Sequence, residues 1–421
     1  RTLAGIIWSC IATLVACTWV SVHPNVPGPG QGTVGLVLHR FKLMLLAIVA
    51  PEIIVLWALR QRMVARKLSK EHKMTIVHGF FVSMGGFVRL RGDALTPVAS
   101  HDIGQTVNAK TILNVKVGEI QDRSKGDELS KGLAFLQTSW FIVQCIARGY
   151  QRLPLTELEI VTLAFAALNI VIRLIWWNKP LDVRYPVTIT TSGGGTRSNT
   201  KMGPDPTVTP AKPHEEKLGP DAIDRFEPVA SPKPTPAGDL ESRTDITAHH
   251  LLMRSHKAFL RACDDCVDIV LMMFEGEEDD VYIRKSATRV PTLWAGRLDG
   301  WQRATAATIG ITLAMAFGAI HFVAWNSSFP TQPEKILWQV AAVLVVAVPF
   351  LFFLGAATVL RKGKINRPYY AIIFNGILPL GVLTYVIARV ILMVLPFMSL
   401  RSLPTGAFKD IEWVKFIPHV G

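Results

Sequence analysis

The sequence lacks the short motifs that mark the common enzyme chemistries. It contains no GxxxxGK[ST], GxSxG, HExxH or GxGxxG, so phosphate-loop, hydrolase, zinc-protease and dinucleotide functions have no motif to support them. Cysteine is scarce as well. Cys10, Cys17 and Cys145 lie in apolar stretches, and Cys263 and Cys266 form a single CxxC without a second pair. We therefore predict no disulfide framework, no metal site and no cofactor.

Long apolar runs are what the sequence has instead. Seven stretches approach or exceed the ~20 residues that an α-helix needs to cross the ~30 Å hydrocarbon core of a bilayer. They are Leu3–Val22, Phe41–Leu59, Leu133–Ala147, Leu155–Trp177, Ala304–Trp325, Ile336–Leu360 and Ala371–Leu395. The third is short and has to borrow from its flanks. The predicted fold class is all-α, a polytopic transmembrane helical bundle of about seven spans.

The segments between the spans predict the domain organisation. Nine prolines between Pro204 and Pro236, with few aromatic residues, indicate a disordered Pro-rich loop. The predicted units are residues 1–59 with two spans, a small cytosolic insert at 60–131, two spans at 132–177, the Pro-rich linker at 187–248, a cytosolic or interfacial amphipathic helix at 249–303, three spans at 304–398 and an outer-side C-terminal segment at 399–421.

The net charge of +13 favours a membrane orientation over nucleic-acid binding. Most Lys and Arg lie in the loops that share one side if the N-terminus is cytosolic. We therefore predict an integral membrane protein of the plasma membrane or an endomembrane, with the N-terminus and basic loops in the cytosol. Its predicted partners are the lipid bilayer and anionic lipid at the basic flanks, and no nucleic acid. The sequon Asn326-Ser327-Ser328 would then lie outside.

A signal sequence upstream of Arg1 would change this orientation. It would place Arg1 outside, and the first apolar stretch must then not cross, because the basic loops would otherwise lie on the wrong side.

Polar side chains inside the spans are expected to face one another, because they are costly in hydrocarbon. By depth, Glu52 and Arg173 fall in the cytosolic half and are predicted to form an ion pair, whereas His321 and Arg389 fall in the outer half. Two interpretations remain open: a polar path or binding cavity, or interhelical hydrogen bonds of ~0.6 kcal/mol each. The predicted polar bundle interior consists of Glu52, Gln137, Gln144, Asn169, Arg173, His321, Asn375 and Arg389.

Two patterns inside the spans have local explanations. Thr156 and Glu159 are spaced as a capping box at the start of the fourth span. Gly310, Ala314 and Gly318 form a small-xxx-small seam that predicts close helix packing.

Two other patterns are candidates for chemistry. Asp264, Asp265 and Asp268 read DDxxD, a magnesium-diphosphate signature, although a solvated face explains a single copy. A predicted outer-face histidine cluster, suited to a metal or a proton relay, consists of His23, His321 and His419, with His39 as a further candidate.

Several strings in the chain resemble a known set of proteins. They are Cys17-Thr18-Trp19, His23-Pro24-Asn25-Val26-Pro27, Glu119 to Asp127, Leu136 to Phe141, Thr156 to Glu159, Ile320-His321, Phe329-Pro330-Thr331, Leu400 to Pro404 and Ile417-Pro418-His419. Over nearly its whole length the chain is similar to a large uncharacterised family of fungal multi-pass integral membrane proteins. The resemblance implies a fungal membrane protein and no particular chemistry.

Three functions remain as hypotheses. The first is a small-molecule or ion transporter, channel or sensor that uses the polar bundle interior. The second is a membrane-embedded enzyme acting on a lipid or terpenoid substrate through the histidines or DDxxD. The third is a membrane scaffold that recruits partners through its cytosolic loops. A water-filled cavity at Glu52 and Arg173 would favour transport, a set of metal ligands the enzyme, and a tightly packed core the scaffold.

Overall fold

A computed structural model describes residues 1–28, 30–91, 94–124, 128–189, 287–362 and 377–413. Several predictions fall outside these residues. They are the linker from residue 190 onward, the amphipathic segment up to residue 286, the CxxC and DDxxD motifs, Asn375 and His419.

The described part of the chain is mostly helical. The helices are α1 (Leu3–Val15), α2 (Thr33–Val49), α3 (Pro51–His72), α4 (Ile76–Ser83), α5 (Ala109–Leu113), α6 (Val117–Asp122), α7 (Glu128–Tyr150), α8 (Glu157–Ile175), α9 (Gly300–Ile320), α10 (Gln332–Lys362) and α11 (Leu378–Ser399). A π-helical turn, Ala16–Val20, continues α1, and 3₁₀ turns cover Ser100–Asp102, His321–Ala324, Leu400–Ser402 and Thr405–Phe408.

Five of the predicted apolar stretches form helices that are long and apolar enough to cross a bilayer. They are Leu3–Val20, Glu157–Ile175, Gly300–Ala324, Gln332–Gly355 and Leu378–Ser402. The third predicted stretch forms α7, which is not among the five because polar residues such as Gln137, Gln144 and Arg148 dilute its apolar character.

The exterior of the bundle is apolar. Trp8 on α1, Leu136 on α7, Leu351 on α10 and Leu380 on α11 are each 60% exposed or more. Exposed apolar surface spread over several long helices is what a lipid solvent requires and what water penalises.

The second predicted stretch, Phe41–Leu59, is not a straight span. It is broken at Ala50, and α2 meets α3 at 110°. Pro51 causes the break, because it has no N–H and its ring clashes with the carbonyl four residues earlier. Ala50 leaves the helical region (φ −139°, ψ 68°), as is usual for the residue before a proline.

The pair α2–α3 enters and leaves at one end of the bundle. Arg40, in the middle of α2, pairs with Asp182 at 2.6 Å, shortly after α8 ends. Arg62, in the second half of α3, donates to the Ile175 carbonyl at the end of α8 (2.8 Å). Both helices therefore extend from the break toward the C-terminal end of α8, as in a re-entrant hairpin.

We name the two ends of the bundle by the ends of α8. At the Glu157 end, Arg1 pairs with Glu159, and the Ser399 hydroxyl donates to Glu157 (2.9 Å). At the Trp176 end lie His23 and the segment of α3 that leads into the insert. Arg1 and the start of the insert thus lie at opposite ends of the bundle, and the prediction that the N-terminus and the basic loops share one side of a membrane stays a prediction.

The insert carries a small sheet and a hydrophobic cluster of its own. β1 (Phe87–Arg91) pairs antiparallel with β2 (Ala94–Pro97) and parallel with β3 (Val187–Ile189), in the order β2-β1-β3. Phe81, Phe87, Ile112 and Ile120 are fully buried there. The first three residues of the predicted linker therefore form a strand, since Val187-Thr188-Ile189 is rich in β-branched residues.

Candidate functional site

The break between α2 and α3 is held by a buried arginine from another helix. The last carbonyls of a helix have no partner within it. At the end of α2, the Arg389 guanidinium takes that role, donating through Nε to Val49 O (3.1 Å) and through Nη2 to Ile48 O (3.2 Å). Arg389 lies on α11 and is 1% exposed. Its positive charge also suits the negative end of the α2 dipole.

An acidic residue lies on the other side of the break. Glu52 is in the first turn of α3, where the helix dipole favours a negative charge. Its carboxylate is hydrogen-bonded to the Tyr385 side chain, and Arg389 is its charged neighbour. The two helix ends that meet at the break are therefore matched by charges of opposite sign.

His321 lies one aromatic ring away from Arg389. The Arg389 guanidinium packs 4.5 Å from the Phe317 ring centre, and the His321 ring lies 5.4 Å from the same centre. His321 Nδ1 is 3.2 Å from the Phe317 and Gly318 carbonyls, so Nδ1 carries the proton and donates. We call Glu52, His321, Tyr385 and Arg389 the central polar cluster.

Three buried polar atoms of this cluster have no hydrogen-bond partner in the part of the chain that is described. They are Glu52 Oε2, His321 Nε2 and Arg389 Nη1. Buried polar groups are nearly always paired, so unpaired atoms on neighbouring ionisable side chains point to small polar occupants such as water. Chemically, the cluster contains two kinds of group. Glu52, His321 and Tyr385 can gain or lose a proton, and Arg389 supplies a fixed positive charge.

The structure brings together only part of the predicted polar interior. Glu52, His321 and Arg389 are neighbours, although counting along the spans placed them at different depths. The predicted partner of Glu52, Arg173, instead lies 5.8 Å from the Phe135 ring, and the charged neighbour of Glu52 is Arg389. The depth estimate failed because the break turns the chain back toward the C-terminal end of α8.

The remaining predicted interior residues lie apart from the cluster. Asn169 donates to the Cys17 carbonyl (3.1 Å), and Gln137 donates to the Thr13 hydroxyl (3.2 Å). Gln144 is half-buried on α7. These contacts are the interhelical hydrogen bonds of the second interpretation.

The predicted outer-face histidine cluster does not form among the described residues. The His23 ring packs against Trp176 at 5.8 Å, at the opposite end from Glu157, whereas His321 lies in the bundle interior. α1 carries His23 across to the other end, a direction that the sequence pattern did not show. Within the described ranges, no group of three or more His, Cys, Asp or Glu side chains is placed to hold a metal.

Sequence reasoning missed a buried lysine at the Trp176 end. Lys179 is 3% exposed, donates to the His23 carbonyl (2.6 Å), and lies 4.1 Å from the Trp176 and 4.6 Å from the Trp57 ring centre. Burial holds the pKa of Lys179 well below its ordinary value, although Asp182 partly opposes this. The only sequence signal was a lysine directly after an apolar run.

The same end contains a hydrogen-bonded network that joins α3, α8 and the segment before α9. The Gln61 amide accepts from Trp176 Nε1 (3.0 Å) and donates to Asn25 Oδ1 (2.9 Å). Asn25 and Trp57 both donate to the Trp294 carbonyl. This network fixes the loop after α1 against the outer part of α3.

The two local patterns of the spans are confirmed. Thr156 and Glu159 form a reciprocal capping box at the start of α8. A Cβ atom on Gly318 would lie 2.7 Å from Val346, so the small-residue seam packs closely. Sequence reasoning missed the partners of Arg148, whose guanidinium donates to carbonyls of the C-terminal segment, including Lys409 O (2.8 Å).

These features define a class of protein: a helical bundle with segments of bilayer-spanning length and one helix pair broken at a buried charged cluster. Within that class, the model of a family of unknown function, DUF8562, matches residues 1–79, 67–198 and 273–420. The chain therefore belongs to this family. No curated protein and no solved structure matches it.

Proposed function

We propose that the protein is an integral membrane protein that moves a small ion, using the break between α2 and α3 as its working site. One observation carries the proposal: two half-helix ends meet inside the bundle, beside ionisable side chains that are buried and partly unpaired. Broken helices whose ends face buried polar groups are a common way to hold ions in membranes.

The packing favours an ion over a metabolite. A cavity beside the break has a volume of about 10 Å³, which is room for one water-sized occupant. A metabolite would require the helices around Phe165 and Phe317 to separate, whereas a proton or a small cation needs only local movement.

We propose that the Trp176 end faces the cytosol. The basic residues that follow α3 leave the bundle at this end, and basic segments prefer the cytosolic side. Arg1 and the sequon at Asn326 lie at the other end, because the neighbouring Ser327 side chain is hydrogen-bonded to Glu157. In this arrangement α1 crosses the membrane, and the pair α2–α3 enters and leaves on the cytosolic side. An N-terminus outside the cell is then compatible with basic loops in the cytosol.

A scaffold function is the second candidate, and the tight packing of the core favours it. The folded insert would then be the surface that recruits partners. The enzyme hypothesis depends in part on the DDxxD motif and His419, which lie outside the described residues.

Ion flux in reconstituted liposomes tests the proposal. Purified protein is incorporated into vesicles with internal dyes for H⁺, Na⁺ and K⁺, and flux is followed after an ion gradient is imposed. We expect flux of at least one ion and its loss by tenfold or more in Glu52→Gln. Glu334→Gln is the matched control, because Glu334 pairs with Arg401 at the Glu157 end, away from the break. Absence of flux for all three ions, or equal losses in both variants, would contradict the proposal.

A further inference from the structure

A small cavity lies where two irregular helix segments meet. One is the π-helical turn that continues α1, which contributes Cys17 and Thr18. The other is the break after α2, which contributes Ala47 and Pro51, and α8 closes the cavity with Asn169. The other lining side chains are apolar: Val22, Ile54, Phe165, Leu168 and Ile172. π-Helical turns occur often at functional sites, because they free backbone groups from the regular pattern.

Asn169 offers this cavity a buried oxygen. The residue is 1% exposed, and its Nδ2 donates to the Cys17 carbonyl (3.1 Å). That bond determines the orientation of the Asn169 amide group, because the flipped orientation would place Oδ1 against the Cys17 carbonyl oxygen, and neither oxygen can donate. Within the described ranges, Asn169 Oδ1 has no hydrogen-bond partner.

The other polar groups of the lining are also acceptors. The Thr18 hydroxyl donates its proton to the Leu14 carbonyl (2.7 Å), which leaves its oxygen with lone pairs alone. Pro51 has no N–H to bond the Ala47 carbonyl.

The thiol of Cys17 supplies no donor to the cavity. It lies 3.9 Å from the Thr138 hydroxyl, whose own proton goes to the Ala134 carbonyl (2.7 Å). The Cys17 S–H is therefore the donor of that pair.

An all-acceptor lining fits a cation better than a water molecule. A water could donate to two of these acceptors but would find no donor for its own oxygen among them, whereas a hard cation takes oxygen ligands alone. The C-terminal end of α2 adds the negative end of a helix dipole. Of the charged side chains at the break, Glu52 follows the lining residue Pro51, and Arg389 lies 5.4 Å from the ring centre of Phe165.

We propose that this cavity is a binding site for a small monovalent cation, Na⁺ in the first instance, held by Asn169 Oδ1, Thr18 Oγ1 and the Ala47 carbonyl. The inference deepens the proposed function and rests on it for the role of the ion, since a bound Na⁺ beside the break would be the transported or coupling ion. The binding itself is tested without transport.

The test is the thermal unfolding midpoint of the purified full chain in detergent. NaCl replaces N-methyl-D-glucamine chloride at constant ionic strength. A ligand that binds only the folded state raises the midpoint, and the rise levels off as a binding curve. We expect such a rise with Na⁺, and we expect Thr18→Val to increase the half-saturating Na⁺ concentration about tenfold.

Thr162→Val is the matched control. Thr162 is also buried, lies on α8, donates to the carbonyl four residues earlier (Leu158 O, 2.7 Å) and does not line the cavity. Its half-saturating Na⁺ concentration should equal that of the unaltered protein. Equal shifts in both variants would overturn the proposal. Equal midpoints of the unaltered protein in both salts would overturn it without any variant, and would indicate a water as the occupant.

The two proposals fail differently. A saturable Na⁺ effect without ion flux in liposomes would retain the cation site and refute transport. Ion flux without a Na⁺ effect on the midpoint would retain transport and refute the cation site.

Discussion

Replacing Arg389 by methionine should be among the most destabilising single changes in the bundle. The side chain is 1% exposed, and methionine keeps much of its length while removing the charge. Two charge-assisted hydrogen bonds to the end of α2 are lost, at about 1.5–3 kcal/mol each. Glu52 also loses Arg389 as its charged neighbour. These losses overlap, so we expect a loss of about 3–5 kcal/mol in the free energy of unfolding.

Three comparisons make the Arg389 prediction specific. Arg389→Lys keeps the charge without the planar fork and should lose less, about 1–3 kcal/mol. Adding Glu52→Gln to Arg389→Met should restore part of the loss, because the two residues are coupled. Arg401→Met is the control, since Arg401 is 49% exposed in its pair with Glu334 and such pairs contribute about 1 kcal/mol or less.

Denaturant unfolding of the purified protein in mild detergent measures these differences. The reasoning is refuted if Arg389→Met loses no more stability than Arg401→Met. If the losses of unfolding free energy in Glu52→Gln and Arg389→Met add up fully in the double variant, the two side chains do not interact across the break.

Three further changes test other parts of the structure. Gly318→Ala should cost about 1–3 kcal/mol of unfolding free energy, because its Cβ would lie 2.7 Å from Val346, whereas Gly35→Ala has open space and should cost nothing. The pKa of Lys179 is lowered in the folded protein, so below the ordinary value of 10.5 the folded protein binds fewer protons than the unfolded chain. The free energy of unfolding, measured relative to Lys179→Met, should therefore rise with pH up to that value. A difference between the two proteins that does not change with pH would contradict this prediction. A membrane-impermeant thiol reagent applied to intact cells should leave Gln105→Cys unlabelled, whereas an antibody applied in the same way should bind a tag at the N-terminus. If both positions are reached from outside the cell, the proposed assignment of the two bundle ends to the two sides of the membrane is wrong.

Local sequence patterns accounted for the parts of the fold that depend on neighbouring residues. Apolar length predicted about seven spans, of which five form long apolar helices, and the Thr156–Glu159 spacing predicted the cap of α8. Both depend on interactions within a few turns of one helix, so the sequence contains what is needed. Pro51 was also visible, but a proline in the middle of the predicted stretch Phe41–Leu59 permits either a kinked span or a re-entrant turn.

The candidate site depended on which helices became neighbours. Arg389 is more than 300 residues from the carbonyls that it binds, and periodicity along α11 does not show which helix end it will reach. The mistaken pairing of Glu52 with Arg173 has this cause, because a depth count assumes that every apolar stretch crosses. Lys179 was missed for a related reason, since its aromatic partner Trp57 comes from a different helix.

By itself, then, the sequence determined that this is a helical protein with segments of bilayer length. Helix formation and helix length follow from hydrogen bonds and apolar patterns that repeat within a single segment. Only the tertiary structure decided that α2 and α3 return to the same end, and that Arg389 and Glu52 meet there. Those outcomes depend on packing and on the pairing of charges between segments far apart in the chain.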